Sequence, residues 1–123
     1  MTDDLTLTTT HTDGHVAVLC VSGEIDMETA PALREEALDV IAHGRPHLIL
    51  DLTGVTFCDS SGFNALIGIM RCAMVANGSL ALAAVPDSLL RILDLTGISN
   101  VMPSYPSTGD AMNARLATTP EPA

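Results

Sequence analysis

Two periodicities alternate along this chain, and that alternation narrows the possible folds more than any other feature. The stretches "HVAVLCVSG", "HLILDL" and "LALAAV" are apolar runs of strand length. Between them lie segments in which apolar residues recur every three or four positions, the period of an amphipathic helix. A strand-rich start followed by alternating helices and strands indicates an α/β fold, with one mixed sheet of four to five strands and about four flanking helices.

The first two strands are expected to form an antiparallel hairpin. "LTLTTTHT" and "HVAVLCVSG" lie on either side of Asp13-Gly14, a dipeptide typical of tight hairpin turns. "HLILDL" after Pro46 and "LALAAV" predict two further strands, and Val101-Met102 predicts a short last one.

Four segments carry the periodicity or the end signals of helices. The first is expected to start at Asp26 and to end near Gly44, with a buried face formed by Ala30, Leu33, Ala37, Val40 and Ile41. The second should run from near Ser60 to Asn77-Gly78. The third, in "PDSLLRILDLTG", should be capped by Asp87 or Ser88 and closed by Gly97. "STGDAMNARLA" predicts a fourth.

The length of 123 residues allows one domain with a single core and is too short for two. We expect this domain over residues 1–117, with its core over about 14–116, and a flexible tail over 118–123. Apolar residues make up 47% of the chain, but aromatic residues only 2%. The core must therefore be built from Leu, Val, Ile, Ala and Met.

The charge of the chain limits its partners. Fifteen acidic and five basic residues give a net charge of −10, which repels phosphate backbones and anionic lipid, so we expect neither nucleic acid nor membrane as a partner. The amino-terminal "MTDDLTLTTT" has no basic region or long apolar stretch, so it does not resemble a secretory signal and the protein is expected in the cytoplasm. Cys20, Cys58 and Cys72 form no CxxC pair, which favours free, packed thiols in a reducing compartment.

One turn has more polar residues than a helix start needs. Asp59, Ser60 and Ser61 precede Gly62 where the strand "HLILDL" leads towards the second helix. A single side chain suffices as a helix cap, and glycine within a helix costs about 1 kcal/mol relative to alanine. Capping alone therefore explains only part of the turn.

A phosphoacceptor serine is the second interpretation of this turn. Small residues at Ser61 and Gly62 would keep the approach to the Ser60 hydroxyl open. Free N–H groups and the helix dipole favour an anion at a helix start, so phosphorylation should leave the fold intact. About two negative charges would then appear on an acidic surface and abolish an interface formed over the turn.

Catalytic and ligand-binding interpretations fit less well. Ser60 and Gly62 match the later half of a G-x-S-x-G elbow, but Cys58 replaces its first glycine and every histidine lies upstream of Ser60. The chain is therefore not expected to be an enzyme. The acidic frame and the lack of a P-loop oppose nucleotide or small-anion binding at the turn.

The sequence also predicts neither a metal site nor a cofactor. Glu24, Asp26, Asp51 and Asp59 could be imagined as an Mg²⁺ cluster, but a solvated strand end and a helix start explain Glu24 and Asp26 better. The pairs His11/His15 and His43/His47 have i, i+4 spacing, yet Gly or Gly and Pro interrupt both segments. Exposed loop histidines are the better interpretation.

Three motifs resemble a known family. "GEID" (23–26), "LDLTGVTFCDSSG" (50–62) and "LDLTGI" (93–98) resemble the STAS domain, specifically the anti-sigma factor antagonists of bacteria, over roughly Val16 to Met112. The resemblance implies an antagonist that binds a serine-kinase anti-sigma factor when unphosphorylated and thereby frees a sigma factor. The kinase then phosphorylates the first serine of the turn, and a PP2C-type phosphatase resets it.

Carried onto this sequence, the resemblance assigns the phosphoacceptor role to Ser60. It assigns partner contact to the frame of the turn and to the neighbouring loop: Glu24, Asp26, Asp59, Ser61, Gly62 and Asn64. Cys58 stands where a larger aliphatic residue is common, and Phe63-Asn64 replaces a more typical Leu-Gly, so Asn64 could alter which kinase fits. The alternative is a STAS adaptor or structural subunit of a transport or stress-signalling complex that is not phosphorylated; the intact Ser60 argues against it.

Overall fold

The computed structural model of the protein describes residues 5–11 and 16–117. The predicted Asp13-Gly14 turn and the predicted tail over 118–123 lie outside these residues. The strands are β1 (Thr6–His11), β2 (Val16–Ile25), β3 (His47–Cys58), β4 (Ser79–Ala83) and β5 (Ser104–Tyr105). The helices are α1 (Ala30–Ala42), α2 (Ser60–Val75), α3 (Asp87–Thr96) and α4 (Thr108–Ala117), with a short 3-10 turn at Ile98–Asn100.

The described strands form one five-stranded sheet in the order β1-β2-β3-β4-β5. β1 pairs antiparallel with β2, and the remaining neighbours pair in parallel. Parallel neighbours require crossover connections, and α1, α2 and α3 supply them. The expected α/β architecture with a mixed sheet is therefore confirmed.

Alternate residues of the strands pack against helices on opposite faces of the sheet. Leu19, Leu50 and Leu82 are fully buried in a large cluster that also includes residues of α1, α2 and α3. Their strand neighbours Val18 and Ile49 belong to a smaller cluster closed by α4. Successive side chains of a strand point to opposite faces, so the sheet is covered on both sides.

β3 is twice as long as the run "HLILDL" indicated. It continues to Cys58, which pairs with Ile25 of β2 after two register shifts between these strands. Gly54 permits the close pairing, because a Cβ at this position would collide with the side chain of Ser22. The long β3 carries the chain in extended form right up to the polar turn.

Three predicted boundaries are wrong. α1 begins at Ala30 rather than Asp26, and Pro86, rather than Asp87 or Ser88, occupies the N-cap of α3. The last strand is Ser104–Tyr105, whereas Met102, fully buried, belongs to the core. Gly97 does close α3, in the left-handed conformation with φ 78°.

Candidate functional site

The parallel pairing of β2 and β3 brings two distant motifs to one edge of the sheet. Ile25 and Cys58 are register partners at the ends of these strands. The backbone N–H of Asp59 donates to the carbonyl of Ile25 over 3.1 Å. The segments "GEID" and "DSSG" therefore lie side by side at the carboxyl end of the sheet, where ligands of open α/β folds commonly bind.

Asp59 is the N-cap of α2. Its Oδ1 accepts hydrogen bonds from the backbone N–H of Ser61 at 2.8 Å and of Gly62 at 3.3 Å. The expectation that free N–H groups would receive an anion here is wrong for these two donors, because the Asp59 carboxylate already occupies them. A new negative charge on Ser60 would instead lie beside an existing one.

Replacing the cap should weaken the fold measurably. We expect Asp59→Ala to lower the free energy of unfolding by about 1 kcal/mol, because two N–H groups lose their acceptor. Asp59→Asn retains an acceptor oxygen and should lie within a few tenths of a kcal/mol of wild type. Urea unfolding of both variants measures the difference; equal losses in the two would show that the charge, and not the cap, matters.

Ser60 is exposed as the first residue of α2, as a phosphoacceptor requires. Ser61 is half-buried and Asn64, one turn further on, is exposed. Within the predicted frame, Ser60 is thus the more exposed of the two serines.

Gly62 was expected to keep the approach to the Ser60 hydroxyl open, but its structural role is different. It is buried, and a Cβ there would lie 2.5 Å from Cys58 Sγ and 2.7 Å from Ile25 Cγ2. Gly62 therefore lets α2 start in contact with β2 and β3. It supports the turn from below and does not clear the space above Ser60.

The loop after β2 is held by its own hydrogen bonds. Asp26 Oδ1 accepts from the backbone N–H of Glu28 at 2.9 Å and of Thr29 at 3.0 Å. The Thr29 hydroxyl donates to the carbonyl of Glu24 over 2.7 Å. Asp26 thus shapes the loop, while Glu24 is exposed and is the register partner of Phe57, three residues before Ser60.

Comparison with known proteins agrees with this geometry. The family model of the STAS domain matches residues 7–111. The anti-sigma-B factor antagonist of Bacillus subtilis (strain 168) is 32% identical over 82 residues, covering 67% of this chain and 74% of the relative. This chain belongs to the STAS domain family, in the group of the anti-sigma factor antagonists.

Solved structures agree with that membership. The crystal structure of an anti-sigma factor antagonist from Mycobacterium paratuberculosis is 37% identical, with a TM-score of 0.80 over 91% of this chain and 94% of that one. The unphosphorylated form of the anti-sigma factor antagonist SpoIIAA, at 18% identity and a TM-score of 0.73 over 92% of this chain and 99% of that one, shares the fold. The family is non-enzymatic, in agreement with the sequence analysis.

The cysteine below the serine turn is a poor nucleophile. Burial, followed by the negative charge of Asp59, raises the pKa of the Cys58 thiol to about 11. The thiolate is the reactive form, so Cys58 stays protonated and inert near neutral pH. Cys58, like Cys20 and Cys72, is half-buried and free of disulfide bonds, in agreement with the prediction of packed thiols.

Neither a metal site nor a membrane-spanning helix is found in the described part of the chain. The described His, Cys, Asp and Glu side chains form no group of three or more that could hold a metal ion. His43 contacts the carbonyl of Asp39 on α1, whereas His47 contacts Ser79 on β4. The two histidines thus interact with different elements. No described helix is long and apolar enough to cross a bilayer.

The α1 side of this site was not predicted from the sequence. Met27, Arg34 and Glu35 line a groove of about 580 Å³ between α1 and α2, and Ser61 and Asn64 form its opposite side. One signal was present, because Met27 is an apolar residue within the polar segment "EIDMET". Its position beside Ser61 follows only from the packing of the two helices.

Proposed function

We propose that this antagonist is a cytoplasmic protein that switches partners through Ser60. Unphosphorylated, it binds a serine-kinase anti-sigma factor, and a sigma factor is released. Phosphorylation of Ser60 ends this binding, and a PP2C-type phosphatase restores it. The observation that carries the proposal is the exposed Ser60 at the start of α2, at the edge of the sheet where the segments "GEID" and "DSSG" lie side by side.

The hydrogen bonds of the turn explain how a phosphoryl group would act. Asp59 already accepts from the N–H groups of Ser61 and Gly62, so the new group has no place among these donors. Repulsion from the Asp59 carboxylate favours its pointing away from the helix, into the space that a docked partner occupies. Phosphorylation therefore changes the surface while the core remains packed.

The charge of the chain supports a partner with a basic contact surface. The net charge is −10, and Glu24 adds an exposed carboxylate on β2, opposite Phe57 and shortly before the serine turn. Complementary charge speeds encounter, whereas like charges across an interface cost several kcal/mol. The phosphoryl group would add about two further negative charges at the centre of this contact. These charges would lose their water on docking and would thus oppose binding of the partner.

We assign the contact to Glu24, Asp26, Asp59, Ser61 and Asn64, with Gly62 supporting them, on a domain that spans 1–117.

Phosphoryl transfer tests the proposal directly. The purified chain is incubated with ATP, Mg²⁺ and each serine-kinase anti-sigma factor of its organism, and intact-mass spectrometry counts the added groups. We expect one phosphoryl group, mapped to Ser60, that is absent from Ser60→Ala and retained in Ser61→Ala. Stable binding of an anti-sigma factor that adds no phosphoryl group to the chain in the presence of ATP and Mg²⁺ would contradict the switch and point to the adaptor alternative.

A further inference from the structure

The groove between α1 and α2 lies next to the proposed phosphorylation site. Ser61 and Asn64 line it on the α2 side, so its mouth begins one residue from Ser60. Apolar side chains of both helices form much of its lining: Ala30, Pro31, Leu38 and Ala65. Its volume of about 580 Å³ is within the range of about 300–1,000 Å³ that is typical of ligand-binding clefts.

Met27 forms the exposed wall of this groove. Its side chain is 75% exposed, although it stands in a loop fixed by the hydrogen bonds of Asp26 and Thr29. Leu95 on α3 is equally exposed at 80%, so exposure alone is not informative. What distinguishes Met27 is its place on a concave apolar surface directly beside the serine turn. Methionine is well suited to such a surface, because its flexible thioether adapts to a partner.

The charges around the groove define the partner that fits it. The segment 23–33 contains Glu24, Asp26 and Glu28 and no basic residue, and Glu35 lines the groove further along α1. Arg34 extends towards α2, with Nε 3.5 Å from where a Cβ of Gly68 would lie. Near Met27, apolar lining residues thus combine with three carboxylates close by in the chain, while Arg34 and Glu35 line the groove further along α1.

We propose that this groove receives an apolar side chain of the anti-sigma factor, flanked by basic residues that face Glu24, Glu28 and Glu35. The inference rests on the proposed function, because it names the contact through which the same partner is held. A protein that covers Ser60 also covers Ser61 and Asn64, and these two residues already belong to the groove. Met27 would then act as a hot spot, since buried anchors next to a polar rim carry most of the affinity of an interface.

Affinity of the unphosphorylated chain for the purified anti-sigma factor tests this proposal. We expect Met27→Ala to raise the dissociation constant 10- to 100-fold, as measured by isothermal titration calorimetry. Asn64→Trp, which fills the mouth of the groove, should raise the dissociation constant at least as much. Leu95→Ala is the matched control, an equally exposed apolar residue away from the groove, and should stay within twofold. The melting temperatures of all three should match wild type, because each side chain is exposed.

Each outcome separates the groove from the serine switch. If Ser60 is phosphorylated but Met27→Ala and Asn64→Trp bind like wild type, the groove proposal is overturned and the switch stands. If the chain binds an anti-sigma factor that does not phosphorylate Ser60 in the presence of ATP and Mg²⁺, and both variants lose affinity, the switch fails and the groove proposal holds. Equal losses in Leu95→Ala, or a change in self-association of Met27→Ala by sedimentation instead of a change in affinity, would also overturn the groove proposal.

Discussion

Ser60→Asp should lose at least 100-fold in affinity for the anti-sigma factor, a cost of about 2.8 kcal/mol. The substitution places a fixed negative charge at the position where the proposed phosphoryl group would appear, next to the Asp59 carboxylate. A charge buried without a partner at an interface costs about 2–5 kcal/mol, which is enough for this loss. The free energy of unfolding should stay within about 0.5 kcal/mol of wild type, because Ser60 is exposed and buries no core atoms.

The matched control adds the same charge elsewhere. Ser88 is exposed in the first turn of α3, so Ser88→Asp reproduces both the change in net charge and the helix context. We expect this variant to bind the anti-sigma factor with wild-type affinity. The affinity of Ser60→Ala should also remain close to that of wild type. Undiminished affinity of Ser60→Asp, or unfolding of that variant, would contradict a switch that acts through the surface alone.

Gly62→Ala should lower the free energy of unfolding by about 1–3 kcal/mol, the usual cost of overpacking a core. The added methyl group would lie 2.5 Å from Cys58 Sγ and 2.7 Å from Ile25 Cγ2, so α2 or both strands would have to move. In a domain of this size the loss corresponds to about 3–6 °C in melting temperature per kcal/mol. Because the shift would displace Ser60, phosphorylation should also become slower.

A second glycine of α2 provides the control for this prediction. At Gly68 the nearest atom to an added Cβ would be Arg34 Nε at 3.5 Å, an ordinary contact. Gly68→Ala should therefore stabilise the protein by up to about 1 kcal/mol, through the higher helix propensity of alanine. Thermal unfolding of both variants decides the matter; stabilisation by Gly62→Ala would disprove the tight contact between α2 and the strands.

The sequence predicted features that depend on local patterns. The buried face of α1 is as expected, because five apolar residues at helical spacing can point to the sheet in only one orientation. Gly97 closes α3 because the left-handed conformation favours glycine, wherever the helix lies in the fold. Asp59, an acceptor directly before a helix, caps α2 for a similarly local reason.

Features that depend on packing between elements were not predictable in this way. β3 extends to Cys58 because β2 lies beside it, although the apolar run in the sequence ends at Leu52. The need for Gly62 arises from Ile25, 37 positions away in the chain, and from Cys58. The groove is likewise a joint product of α1 and α2, so nothing near Ser61 in the sequence indicates Met27.

The carboxylate that caps α2 also bears on how long a signal would persist. Since Asp59 holds the two donors, a phosphoester on Ser60 would gain no internal anchorage from them and would remain surrounded by water. The marked and unmarked chains would then differ little in conformation, and no slow refolding step would separate them. The duration of a signal would then depend on the relative activities of the kinase and the phosphatase, and the conformation of the chain would not prolong it.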